Sequence, residues 1–419
     1  MGQWWHMPEA LLSPELDDLL ESPAIMENPY PIYARLRDEA PVCWSERWQS
    51  WIVSRYDDVD VSLREKEVLS NENRQALLFN KMAEQEREAL AQLRHYYAQK
   101  DVIGSDPPDH TRMRALVTKA FTPRTVATLE PRMRVLAADM MREAKAKGRF
   151  DFVHEIAHPM PVIVIAELLG APPKDRHLFK RWSAEILAFQ GTGTTNFATA
   201  SKSQESLLEM FRYMNDMIEA RRVEPKDDLM TTMALAEERG QRFTRDELLA
   251  TCNTMLSGGH ETTTNLMGNL LHLLLANPSQ WEDLKAEPAL LDSAIEEALR
   301  YDAPKQRNFR RVKKDHVFQG VPFRENQMVF QIIGAANHDP AKFPEPDKFD
   351  IHRSPNDHLA FGAGIHFCLG AALARKEARL VMENLIDIMP DCRLANQTIK
   401  WQERVQFRGP GELWIECRG

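Results

Sequence analysis

Between Thr244 and Pro278, apolar residues recur at helical spacing through Leu248, Leu249, Met255, Leu266, Leu270 and Leu274. Thr244 with Glu247 three residues on reads as a capping box. Together they predict one long helix of roughly 45–50 Å at about 1.5 Å per residue. Alternation around Trp51-Ile52-Val53, and again from Val317-Phe318 to Met328-Val329-Phe330, predicts short strands. Most of the remainder carries helical periodicity, so the expected fold is mainly α with minor β. No repeat, low-complexity tract or Gly/Ser- or Pro-rich linker divides the chain, and residues 1–419 are expected to form a single domain. Two segments read as mobile covers. One runs from Asn71 to Lys100, charged and helical with an apolar spot at Leu77, Leu78 and Phe79, and ends at the turn from Gly104 to Pro108. The other, Gly191 to Asn196, interrupts two helical patterns and offers glycine hinges.

Composition narrows the function. A chain of 419 residues with 43% hydrophobic content can bury a large core, and a formal charge of −9 argues against general nucleic-acid binding. No run approaches the roughly 18 apolar residues that span a bilayer, so a cytoplasmic protein without a membrane anchor is expected. The five cysteines, Cys43, Cys252, Cys368, Cys392 and Cys417, are scattered, with no Cys-x-x-Cys pair. Neither a disulfide framework nor a zinc cluster is suggested.

One cysteine stands apart. The run Phe361-Gly362-Ala363-Gly364-Ile365-His366-Phe367-Cys368-Leu369-Gly370 is followed by a strong helix former from Ala371 to Glu377. Glycines let such a loop turn backbone N–H groups toward the Cys368 sulfur, and the helix beginning just after it adds a positive N-terminal end. Gly370, without a side chain, leaves room for a flat ligand. The middle of the long helix is weak in the same sense: Gly258-Gly259-His260-Glu261-Thr262-Thr263-Thr264 combines two glycines, each costing about 1 kcal/mol against alanine, with stiff threonines. Threonine hydroxyls there can bond to carbonyls one turn back. Thr264 stands where a zinc-protease helix needs its second histidine, so that motif is absent.

The cysteine run resembles the Phe-x-x-Gly-x-x-x-Cys-x-Gly signature of the cytochrome P450 superfamily at Phe361, Gly364, Cys368 and Gly370, and the chain is similar to its soluble bacterial-type monooxygenases from about Pro29 onward. The resemblance implies haem b (iron protoporphyrin IX) buried between the long helix and the cysteine loop, with Cys368 as the axial iron ligand. The stretch Gly258, Gly259, Glu261, Thr262 is similar to the superfamily's oxygen-activation motif, which makes Glu261 a proton relay and Thr262 the positioning alcohol. Glu297 and Arg300, with Arg353, match a buried scaffold triad. For the haem propionates the resemblance implies His110 and Arg114, in the segment from Asp106 to Arg114, and His366. A further partner lies in Phe309-Arg310-Arg311-Val312, a strand whose neighbouring side chains point to opposite faces. Counting back from Asp315 and Gly320 favours Arg310, and a one-residue slip substitutes Arg311.

The implied reaction inserts one oxygen atom of O2 into a small organic substrate by hydroxylation or oxidative demethylation. The chain carries no dinucleotide fingerprint or iron–sulfur cysteine set, so electrons are expected from a separate ferredoxin and ferredoxin reductase. Arg112, Lys119, Arg124, Arg375, Lys376 and Arg379 read as a basic patch for an acidic ferredoxin. Alternatives are a peroxide-driven peroxygenase on the same fold and a non-catalytic haem sensor. The pocket is expected to draw on Leu77–Phe79, Ile186–Asn196, Leu256–Gly259 and Ala303–Phe309; the polar run Lys305, Gln306, Arg307, Asn308 suggests a polar or anionic substrate.

Overall fold

The computed structural model describes residues 11–73, 79, 82–191, 196–236, 240–404 and 406–417. Leu77, Leu78 and the 192–195 part of the second cover lie outside them. The long helix runs Arg245–Ala276, with the capping box in place: Thr244 Oγ1 accepts from the Glu247 amide at 3.2 Å, and Glu247 accepts from the Thr244 amide at 2.9 Å. Its glycine- and threonine-rich middle stays helical. Beyond it, Leu266, Met267, Leu270, Leu271 and Leu274 are all buried, and a helix that is apolar around its circumference belongs in a core. Helix Pro159–Leu168 packs along it, as does Ala371–Ile388, the helix that follows Cys368. This is the hydrophobic contact that sets the cysteine loop beside the helix centre.

The strands form a five-stranded sheet in the order Val42–Ser45, Ser50–Val53, Met328–Ile332, Arg307–Val312, Leu69–Ser70. Ser50–Val53 pairs parallel with Met328–Ile332 and the other neighbours are antiparallel. The run at Val317-Phe318 belongs to a separate hairpin, His316–Phe318 with Val321–Phe323. The first cover contains two short helices, Glu84–Ala89 and Ala91–Tyr97, not one continuous helix. Phe79 is corrected from pocket to core: it is 3% exposed and packs against the rings of Tyr97 and Phe189.

Glu297, Arg300 and Arg353 come together as the sequence suggests. Arg300 donates to Glu297 through Nε and Nη2, both at 2.8 Å, and Arg353 Nε reaches the same carboxylate at 3.1 Å. Arg300 also donates to the carbonyls of Asn337 and Pro346, so the triad ties helix Leu291–Tyr301 to the irregular chain leading to the cysteine loop.

Candidate functional site

Cys368 lines a cavity of about 370 Å³ together with Gly258, Gly259 and Thr262 of the central helix. The loop that carries it turns on Gly362 (φ 71°) and Gly364 (φ 70°), left-handed conformations that favour glycine. A Cβ on Gly364 would also stand 3.0 Å from the Leu63 carbonyl oxygen and Arg64 Cα. The Cys368 amide closes the loop by donating to the Phe361 carbonyl at 3.0 Å, and the Arg375 guanidinium lies 4.4 Å from the Phe361 ring centre. Burial pushes the Cys368 thiol up. The Gly370 amide and the cations of Arg114, Lys305 and Arg375 pull it back. The loop thus supplies the expected stabilisation of a thiolate, and burial outweighs it in the chain alone. Burial, aided at Cys43 by Asp17 and at Cys392 by Cys417, pushes Cys43, Cys252 and Cys392 up to about 12, which makes them inert packing residues.

Around the same cavity the chain gathers positive and donor groups. Arg114, Arg310 and His366 line it, and the His366 ring lies 4.4 Å from that of His110. His110 is 3% exposed, and its ring nitrogens make no well-formed hydrogen bond. Burial and then Arg114 lower its pKa to about 4, with Arg310 adding to the effect against Asp106. A neutral imidazole packed among guanidinium groups is the surrounding that an anionic ligand would complete. Strand register separates the two arginines: Arg310 is buried at the cavity, whereas Arg311 turns outward and donates to Asn326 Oδ1 at 2.9 Å. A Cβ on Gly258 or Gly370 would meet nothing within 4 Å, so nothing in the surrounding protein crowds either position. A flat, doubly anionic group with a metal for sulfur fits these residues.

On the central helix, Thr262 Oγ1 donates to the Gly258 carbonyl at 2.8 Å, the one-turn-back bond expected from sequence. Glu261 does not line the cavity. Consecutive helix residues point about 100° apart, so a helix that turns Gly258 and Thr262 inward turns Glu261 aside. There its carboxylate meets Arg404 Nη1 at 2.8 Å, and the second carboxylate oxygen is buried without a partner. Arg404 carries no motif of its own and could not be found from sequence.

Two expectations about surfaces are corrected. Of the polar run, Lys305 and Asn308 line the cavity, but Gln306 donates to the Ala303 carbonyl at 2.8 Å and Arg307 stacks over Trp48 at 4.0 Å, buried. The basic patch is largely neutralised by its own neighbours: Arg375 pairs with Glu296 at 2.6 Å, Lys376 with Glu130 at 2.8 Å, Arg379 with Glu383 at 2.8 Å, and Arg112 with Glu247 at 3.1 Å. Sequence reasoning placed the first cover near the pocket but did not single out Tyr96, Gln99 or Asp101, which line it. Short-range periodicity carries no signal of which face of a cover turns inward.

Comparison with known proteins agrees with this geometry. The family model described as Cytochrome P450 matches residues 68–387. The chain is 37% identical over 368 residues to the putative cytochrome P450 YjiB of Bacillus subtilis, covering 87% of this chain and 88% of that protein. It is 36% identical over 400 residues to the cytochrome P450 monooxygenase PikC of Streptomyces venezuelae, covering 93% and 91%. Among solved structures, cytochrome P450 CYP109Q5 from Chondromyces apiculatus superposes with a TM-score of 0.84 at 35% identity, over 95% of this chain and 97% of that one.

Proposed function

This chain belongs to the cytochrome P450 family of haem b monooxygenases acting on small organic substrates, and we propose that it hydroxylates or oxidatively demethylates its substrate using electrons from a separate ferredoxin and ferredoxin reductase. The observation that carries the proposal is the cavity shared by Cys368 and the Gly258–Thr262 stretch of the central helix. We assign residues 1–419 to one haem-thiolate domain in the cytoplasm; among the described residues no helix is long and apolar enough to cross a membrane.

Haem, when bound, supplies the activation of O2 and the transfer of one of its atoms to the substrate, with thiolate donation favouring O–O cleavage. Cys368 is the residue assigned to hold its iron. His110, Arg114, Arg310 and His366 are assigned to its propionates, and Phe361 and Gly370 to the shape of the loop beneath it. Thr262 positions a proton donor at Oγ1, which delivers inward only when it leaves the Gly258 carbonyl. Glu261 is the proton source behind it. Its carboxylate has to swing from Arg404 to reach the cavity.

That pairing also favours a second reading, a peroxide-driven enzyme that needs no inward proton relay. The two separate in one experiment on haem-loaded protein, comparing product formed with NADH, ferredoxin and reductase against product formed with hydrogen peroxide. On the proposed reading, Thr262→Ala lowers product per NADH by about tenfold or more while NADH consumption continues, water replacing only part of what a positioned donor contributes. A fully coupled variant would sink the assignment of Thr262. The arginine assignments have their own check: Arg310→Gln speeds transfer of haem to an acceptor protein, and Arg311→Gln does not. Equal rates for the two would return the register question to open.

A further inference from the structure

Part of the cavity wall is made by the early turns of the central helix and by the Tyr96–Ile103 segment lying against them. Three of its polar side chains donate protons to the protein itself. Thr254 Oγ1 donates to Asp101 Oδ2 at 2.5 Å, Ser257 Oγ to the Asn253 carbonyl at 2.9 Å, and Gln99 Nε2 to the His95 carbonyl at 3.1 Å. Hydroxyls bound in this way keep only lone pairs to offer. Asn253 also lines the cavity, at 4% exposure, but its Oδ1 has neither a partner nor surface open to the cavity, and its amide engages Tyr96. Asp101 adds a carboxylate, already turned toward the Ile103 amide at 3.0 Å and toward Thr254. The Tyr96 phenol keeps its proton, because burial and the nearby Asp101 raise its pKa. Against that donor stand the lone pairs of Thr254 and Ser257 and the Asp101 carboxylate.

We propose that this wall selects substrates carrying an O–H or N–H donor, seated against Asp101, Thr254 and Ser257 at a distance from the carbon that is oxidised. The inference rests on Thr262 marking the reacting end of the cavity. Ser257 and Thr254 precede it by five and eight residues, which places the donor roughly 8–12 Å away along the helix axis. An anionic headgroup would set lone pairs against lone pairs here, so the anionic substrate suggested by the sequence run at 305–308 is disfavoured at this wall. A buried acceptor left unpaired penalises any ligand that excludes water without offering a proton.

The test uses haem-loaded protein whose reduced carbonyl adduct carries the sulfur-ligated spectrum, so a negative result speaks against the donor wall and not against the reading of the cofactor. Four ligands share one apolar chain: 1-dodecanol, dodecylammonium, methyl dodecyl ether and dodecanoate. Affinity is measured by calorimetry and seating by the direction of the Soret shift. The alcohol is expected to bind roughly tenfold tighter than the ether, which keeps the oxygen but lacks the proton. Thr254→Val with Ser257→Ala should abolish most of that ratio, and Thr254→Val alone should reduce it. Dodecylammonium supports the proposal by binding tighter than the ether with a blue shift; a red shift, marking nitrogen on iron, counts against it. Equal alcohol and ether affinities, dodecanoate as the tightest ligand, or oxidation at the carbon bearing the hydroxyl overturns it.

Discussion

Cys368→Ser is expected to give a folded protein whose monooxygenase turnover falls below detection and whose reduced carbonyl adduct loses the red-shifted absorption that marks sulfur ligation. The side chain lines the cavity, so exchanging sulfur for oxygen removes no packing contact that the core depends on. What changes is the donor. A serine hydroxyl holds its proton far more tightly than a thiol, and the Gly370 amide with Arg114, Lys305 and Arg375 cannot make up the difference. Thermal unfolding of the haem-free variant should match that of the haem-free parent. Retained turnover, or a retained red-shifted band, would remove the foundation of the functional assignment.

Glu297→Gln is expected to cost about 3–5 kcal/mol, the range for stranding a buried charge, against a total stability of about 5–15 kcal/mol. Arg300 is fully buried, and its Nε and Nη2 both donate to that carboxylate. Arg353, the Asp350 amide and Asn356 donate to it as well. The amide keeps the shape but loses the charge, and one of its two ends presents protons to donors. Asp139→Asn is the internal control: its partner Arg142 is exposed, and such a pair contributes about 0–1 kcal/mol. Denaturant midpoints of the two variants should therefore differ widely. Similar midpoints would mean that the triad carries no special weight in the fold.

Where sequence succeeded here, the signal was local or periodic. The central helix was readable from its capping box and apolar spacing, whereas the cysteine loop and the triad of Glu297, Arg300 and Arg353 were legible through resemblance, since a Glu and an Arg three apart on a helix do not by themselves signal burial. The choice between Arg310 and Arg311 stayed open because alternation along a strand is symmetric until one face is known to be buried; pairing of Arg310 with Val329 supplies that information. Glu261 was recognisable as a motif residue, but its engagement with Arg404 spans most of the distance from the central helix to the C-terminal segment, and no short-range pattern encodes a contact of that separation. The polar run at 305–308 misled for a simple reason. Four adjacent side chains on an extended chain cannot all face one cavity, and Arg307 found an aromatic surface instead.

The carboxylates interleaved with the cations on the cysteine side bear on how an electron donor would leave again. An acidic protein arriving there gains contact with Arg375, Lys376 or Arg379 by displacing Glu296, Glu130 or Glu383, so association is an exchange of partners. Added salt weakens the resident pairs and the incoming ones together, which flattens the dependence on ionic strength that an unpaired basic surface would show. If electrons arrive on a separate protein, as proposed, such a surface favours short-lived encounters with it.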